Sequence, residues 1–241
     1  MLGTMRGALR GVVLASLALG MAACTQTKSF VHDQVPARPD GSVEVLLLEP
    51  DIELSEISVG GIAFPKADWT ERGRSNVNAA LVQIMEQKDA RLIYYEPPAD
   101  APPEHPYNQI LKLHEAVGSE ILNHKYSNNS FLTLPTKKDK FDWTLGPEVQ
   151  QLREVYAADY ALFVYFRDSF ATGGRVAMMV VVGALTGVAI PGGFQVGYAS
   201  LVDLDSGDIL WFNVLFSEVG DLRDAGSAAE ATEDLLDQLP L

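Results

Sequence analysis

Cys24 is the only cysteine among the 241 residues, so no internal disulfide can staple this chain, and its fold has to rest on a buried apolar core. The material for one is present. Hydrophobic residues make up 47% of the chain, and the length suits a single domain. The same cysteine stands at a marked place. Arg6 and Arg10 precede it, followed by an apolar block from Val12 that is broken only by Ser16 and Gly20. That is the charge-then-apolar order of an export signal, and the block is too short to span a membrane.

The block closes in "MAAC", which resembles the lipobox of bacterial lipoproteins, with Met21 where that family more often has leucine. The resemblance implies that residues 1–23 are a signal peptide. Cys24 then becomes the first residue of the mature chain, with a diacylglycerol on its sulfur and an acyl group on its nitrogen. Chains contributing about 0.8 kcal/mol per buried methylene make a stable anchor when two or three are present. Thr25 follows the cysteine where an Asp would retain the protein, which in the sorting pattern of enteric bacteria implies the outer membrane, facing the periplasm.

Lys and Arg number 18 against 32 Asp and Glu, a formal charge of −14, so nucleic acid and anionic headgroups are poor partners. Residues 24–42 have no period and carry Pro36, Pro39 and Gly41. They are expected to form a flexible tether reaching roughly 60 Å when extended, with the periplasmic domain at 43–241.

Within that domain strand and helix signals alternate. "VEVLLLEP" from Val43 suits a central strand, and "IELSEISVGG" a second one with a bulge near Ser55. Trp69, Val77, Ala80, Leu81, Ile84 and Met85 fall at helical spacing. "ARLIYYE" is the next strand, and Ile110, Leu113, Val117 and Ile121 mark a second helix. A helix opens at Pro147, and a strong strand covers Tyr160 to Phe166. Two further strands meet in a hairpin at Asp205, Ser206 and Gly207. Ser227 and Glu230 make a capping box for a last helix carrying Leu235 and Leu239. The expected class is α/β or α+β, a single domain with a mixed sheet flanked by helices and a Gly-bounded apolar insertion.

"AADYALFVYF" at 157–166 and "YASLVDLDSGDILWFNVLF" at 198–216 are similar to the lipoprotein superfamily that contains the curli-export lipoprotein, the peptidoglycan-synthase activator lipoprotein and the TolB N-terminal domain. Ala158, Asp159 and Tyr160 match its turn into a central strand. Leu201, Val202, Asp203, Gly207, Ile209 and Trp211 match its later strand pair. The resemblance implies a periplasmic domain used for assembly and protein contacts rather than catalysis.

Motifs for chemistry are missing. "DLDSGD", Asp203 to Asp208, resembles a calcium loop only superficially, because Gly207 and Val214 fall where two oxygen ligands belong, and a turn is the expected structure. His32, His105, His114 and His124 never form H-E-x-x-H, so no metal is expected. There is no nucleophile elbow, no P-loop and no dinucleotide fingerprint, so neither an enzyme nor a cofactor is expected; the alternative is a periplasmic enzyme without a recognisable motif, its triad assembled from residues distant in sequence.

The stretch "GGRVAMMVVVGALTGVAIPGG" at 173–193 is uncharged from Val176 to Ile190. That uncharged run of fifteen residues is shorter than the twenty or so of a spanning helix. It also lacks the alternation of an outer-membrane strand, which counts against the alternative of an oligomeric secretion-channel subunit. As a helix it would present Gly183 and Gly187 as a G-x-x-x-G face. It is expected to be either core or a contact surface formed by Met178, Met179, Val182, Gly183, Gly187 and Ile190. The Gly pairs at its ends are expected to act as hinges. The function that follows is a lipid-anchored, non-catalytic assembly or interaction partner in envelope biogenesis or secretion, engaging envelope proteins or itself.

Overall fold

The computed structural model describes residues 25–32, 43–88, 90–95, 102, 104–126, 133–187 and 192–241. Among them eight strands form one mixed sheet: β1 (Gln26–Val31), β2 (Val43–Leu47), β3 (Asp51–Ile57), β4 (Ala63–Pro65), β5 (Ala90–Tyr94), β6 (Tyr160–Ala171), β7 (Gln195–Asp203) and β8 (Ile209–Ser217). The order is β1-β8-β7-β6-β2-β5, with β3 also lying along β6 and carrying β4. The expected mixed sheet flanked by helices is thus what the chain forms.

β6 is central because both of its faces are apolar. Tyr160, Leu162, Val164 and Phe166 enter one core, while Ala161 and Phe163 enter the other. A run without alternation is what a strand buried on two sides requires. It extends to Ala171, beyond the expected end at Phe166, so Arg167 and Asp168 lie inside the ladder. β2 and β3 both run parallel to β6, pairing Leu47 with Leu162 and Asp51 with Tyr165. Four steps on one strand match three on the other. The irregularity therefore sits at Leu48–Pro50, where proline has no N–H to offer, and Ser55 is regularly paired.

Helices α1 (Ala67–Gln87) and α5 (Ala225–Leu235) cover one face; α2 (Pro106–Ile121) and α3 (Gln150–Tyr156) cover the other. On α1 the expected Val77, Ala80, Leu81 and Met85 are buried. On α2 the buried face is Tyr107, Ile110, His114, Gly118 and Ile121, while Leu113 is exposed. Gly118 decides this rotation, since a Cβ there would stand 3.0 Å from the Tyr198 ring. α5 starts one turn before the expected capping box, because the Asp224 side chain accepts from Ser227 N at 2.9 Å.

The tether expectation is corrected at its front. Residues 26–31 are β1, paired antiparallel with β8 from Gln26↔Phe216 to Val31↔Trp211. Phe30 stacks on Phe141 at 5.7 Å and meets Tyr126 edge-on at 5.4 Å. The Tyr126 hydroxyl donates to Lys28 O at 2.7 Å. A six-residue edge strand gains most of its stability from backbone pairing, which leaves little periodicity in its side chains. The Pro and Gly residues that suggested a tether all lie in 33–42, outside the described residues.

The superfamily-like residues are joints of this sheet. Ala157 ends α3 in the left-handed region at φ 53°, and Ala158 is buried. Asp159 N donates to Glu44 O at 2.9 Å, its carboxylate accepts from Glu44 N at 3.3 Å, and Leu204 N donates to its carbonyl at 3.0 Å. Tyr160 then starts β6 inside the core. The Asp203 carboxylate accepts from Asp205 N at 2.7 Å and Ser206 N at 3.0 Å, the turn that the sequence predicts. Trp211 is fully buried.

Candidate interaction surface

His114 and His124 are tied into the structure by their side chains. His114 Nε2 lies 2.6 Å from Ser200 Oγ, and its ring stacks on Phe163 at 4.0 Å. Burial pushes its pKa down to about 3, so the imidazole is neutral at pH 7. His124 pairs with Glu120 at 2.9 Å. Among the described residues no three His, Cys, Asp or Glu side chains are grouped to hold a metal ion. Cys24 lies outside the described residues.

The apolar stretch forms helix α4 (Gly173–Thr186), inserted between the adjacent strands β6 and β7. Thr172 caps it, its Oγ1 accepting from Arg175 N at 3.2 Å. Gly187 closes it at φ 72°, donating its N–H to Gly183 O at 2.9 Å. This corrects the G-x-x-x-G expectation: Gly187 is the terminating residue, with no place on a helix face. Gly173 and Gly174 form the first turn. At Gly193 a Cβ would overlap the Ser169 carbonyl oxygen, so close backbone approach requires glycine there.

No residue of α4 is buried, so this helix is not core. Met178, Met179, Val182 and Gly183 occupy its half-buried side. The fully outward side was not singled out by the sequence: Val176, Val180 and Ala184 follow one another at four-residue steps, as do Ala177, Val181 and Leu185. Val180 is 67% exposed and Leu185 81%. Ile190 lies outside the described residues. No helix of the described residues is long and apolar enough to cross a membrane.

The surface continues beyond the helix. Arg175 Nη1 donates to Ser58 O at 3.4 Å, joining α4 to the β3–β4 tip, where Val59, Ile62 and Phe64 are exposed. Register brings the remaining pieces to the same end of the sheet. Ile57 pairs with Ala171, Gln195 with both Asp168 and Ser217, and Phe216 with Gln26. Phe194, Phe216 and Val219 are exposed there. Ten of the fourteen exposed large hydrophobic side chains among the described residues thus share one end. Isolated exposed apolar residues are ordinary, whereas a contiguous patch marks a contact surface.

A cleft of about 300 Å³ opens at the root of α4, lined by Asp168, Val176, Gly193, Val219 and Arg223 among others. The Arg223 guanidinium is paired with Asp221 at 2.8 Å and lies 3.7 Å from the Phe170 ring centre. Asp168 is 3% exposed. Its Oδ2 accepts from Leu222 N at 3.1 Å and from Gln195 Nε2 at 3.2 Å. Burial raises its pKa to about 6, against the opposing effect of those hydrogen bonds. A carboxyl whose folded pKa lies above its unfolded value favours the fold below the unfolded pKa and loses that contribution as pH rises through about 6. Asp168→Asn keeps an acceptor oxygen and removes the buried charge. It is expected to stabilise the protein at pH 7 by on the order of 2 kcal/mol and to do nothing at pH 3.5. Thermal unfolding of both proteins at the two pH values checks this, and equal melting temperatures at pH 7 would contradict it.

No protein-family model and no curated protein matches the sequence. Among solved structures the chain is similar to the PelC dodecamer from Paraburkholderia phytofirmans, at 11% identity and a TM-score of 0.40, over 88% of this chain and 95% of that one. A leucine-to-methionine variant of the same dodecamer gives 11% identity and 0.40, over 90% of this chain and 99% of that one.

Proposed function

We propose that this chain is a lipid-anchored protein of the bacterial envelope, held at the outer membrane through Cys24 and acting as a non-catalytic assembly or interaction partner in envelope biogenesis or secretion. The observation that carries the reading is α4, an uncharged helix beyond Arg175 with no buried residue, continuous with an apolar sheet end. A contiguous exposed apolar surface marks a site that another body covers. The "MAAC" sequence at Cys24 supports the anchor, and Thr25 supports the outer membrane. The acidity of the chain disfavours nucleic acid as a partner.

Fractionation of cells expressing Cys24→Ser tests the anchor, together with the mass of the mature N-terminal peptide. The unsubstituted protein is expected in the membrane fraction with acyl groups on Cys24, and the variant in the soluble periplasm. Retention of the variant at the level of the unsubstituted protein would show that another segment holds it.

A further inference from the structure

Where the anchor emerges and where the apolar side chains gather are the same place. Only Thr25 separates Cys24 from β1, and consecutive Cα atoms are about 3.8 Å apart. Thr25 Oγ1 lies 3.2 Å from Ser217 Oγ at the end of β8. That strand end pairs with Gln195 of β7, which pairs with Asp168 of β6. Three residues further along β6 the chain turns into α4, opposite the β3–β4 tip.

We propose that this end of the sheet, with the outward face of α4 and the β3–β4 tip as its contacts, docks directly on the lipid surface that holds the acyl chains of Cys24. The proposal rests on the lipid-anchor reading and names the body that covers the patch. A domain held by a long tether could turn any face to the bilayer, but one joined through a single residue must turn this one. A second copy or a protein partner on the same patch would have to displace the bilayer that the anchor brings there.

The chemistry of the patch agrees with lipid. α4 carries one charged residue, Arg175, whose guanidinium is held on Ser58 O, and no acidic residue. The acidic groups around it are engaged or set aside: Glu56 is paired with Lys66 at 3.1 Å, Asp221 with Arg223 at 2.8 Å, and Asp168 is buried. Glu218 is exposed at the rim. Attachment therefore comes from apolar insertion and not from basic residues, in keeping with a net charge of −14. A helix of 14 residues is about 21 Å long against a hydrocarbon core of about 30 Å. It can lie in the headgroup region and cannot cross it.

The test uses the full chain in living cells, with a photoactivatable diazirine residue at Leu185 or Ile62, and phospholipid labelled metabolically with radioactive phosphate. Val155 is the control. It is 73% exposed on α3, which leads into the start of β6, and that start lies roughly 35 Å along the strand from α4. None of these side chains is buried, so each variant retains the fold. Labelled phospholipid is expected on the protein from Leu185 and Ile62 and not from Val155. Capture of a protein or of a second copy at Leu185 without lipid would overturn the proposal, as would equal lipid capture at Val155. The N-terminal peptide of the same samples separates the two readings. Acylated Cys24 with no lipid on Leu185 keeps the anchor and sinks the docking, whereas an unacylated chain overturns both.

Discussion

Gly207→Ala is expected to destabilise the fold by about 3 kcal/mol or more. Gly207 sits at φ 83°, a region in which a Cβ costs roughly 1 kcal/mol or more. The larger effect is steric. A Cβ there would overlap the carbonyl oxygen of Gly146 and stand 2.7 Å from its carbon. Backbone cannot swing aside as a side chain does. Gly146 is itself at φ 78°, and its neighbours are tied to the turn: Leu145 N donates to Gly207 O at 2.8 Å, and Thr144 Oγ1 donates to the same oxygen at 3.0 Å. Moving one strand end away from the other would break this crossing and loosen Trp143 and Leu145, which pack in the core around α2 and α3. Urea unfolding followed by tryptophan fluorescence measures the loss. Gly207→Asn separates the causes, because asparagine tolerates positive φ but still carries the Cβ. If it is as stable as the unsubstituted protein, the overlap with Gly146 is not what makes glycine necessary.

Acid is expected to weaken the protein through His114. Its pKa is pushed from 6.5 to about 3 by burial. The unfolded chain therefore binds a proton in a pH range where the native protein does not, and stability falls as pH drops below 6.5 toward 3. Between pH 7 and pH 4 this group alone is expected to remove on the order of 3 kcal/mol. Asp168 acts the other way, since its raised pKa favours the fold on acidification between about 6 and 3.8. The difference between proteins isolates each group. His114→Gln retains polar atoms for Ser200 Oγ and has no proton to gain, so its unfolding free energy should fall less steeply across that range than that of the unsubstituted protein. Parallel pH profiles would mean that the imidazole is already charged in the fold, or that water reaches it.

The elements with strong periodicity were legible in the sequence. The strand from Tyr160, the β7–β8 turn at Asp203–Gly207 and the buried face of α1 all stand where local pattern puts them, since each depends on residues near in sequence. α2 was legible only as a helix. Which of its faces is buried depends on the Tyr198 ring, which comes from a strand far along the chain and fills the room that Gly118 leaves. β1 was not legible as a strand. Its alternation is weak, and its reason to be extended is the unpaired edge of β8.

The candidate surface divides in the same way. An apolar segment at 173–193, uncharged from residue 176 to 190, and a lone cysteine closing an export-type block are properties of composition and order, readable without any fold. Whether that segment would be core could not be read, because burial depends on what packs against it, and α4 turns out to have nothing buried. The contact of α4 with the β3–β4 tip and that of Thr25 with the end of β8 each join segments more than a hundred residues apart. Only the register of β1, β8, β7, β6 and β3 brings them to one end of the sheet, since neighbouring strands fix their relative position through backbone hydrogen bonds rather than through nearby side chains.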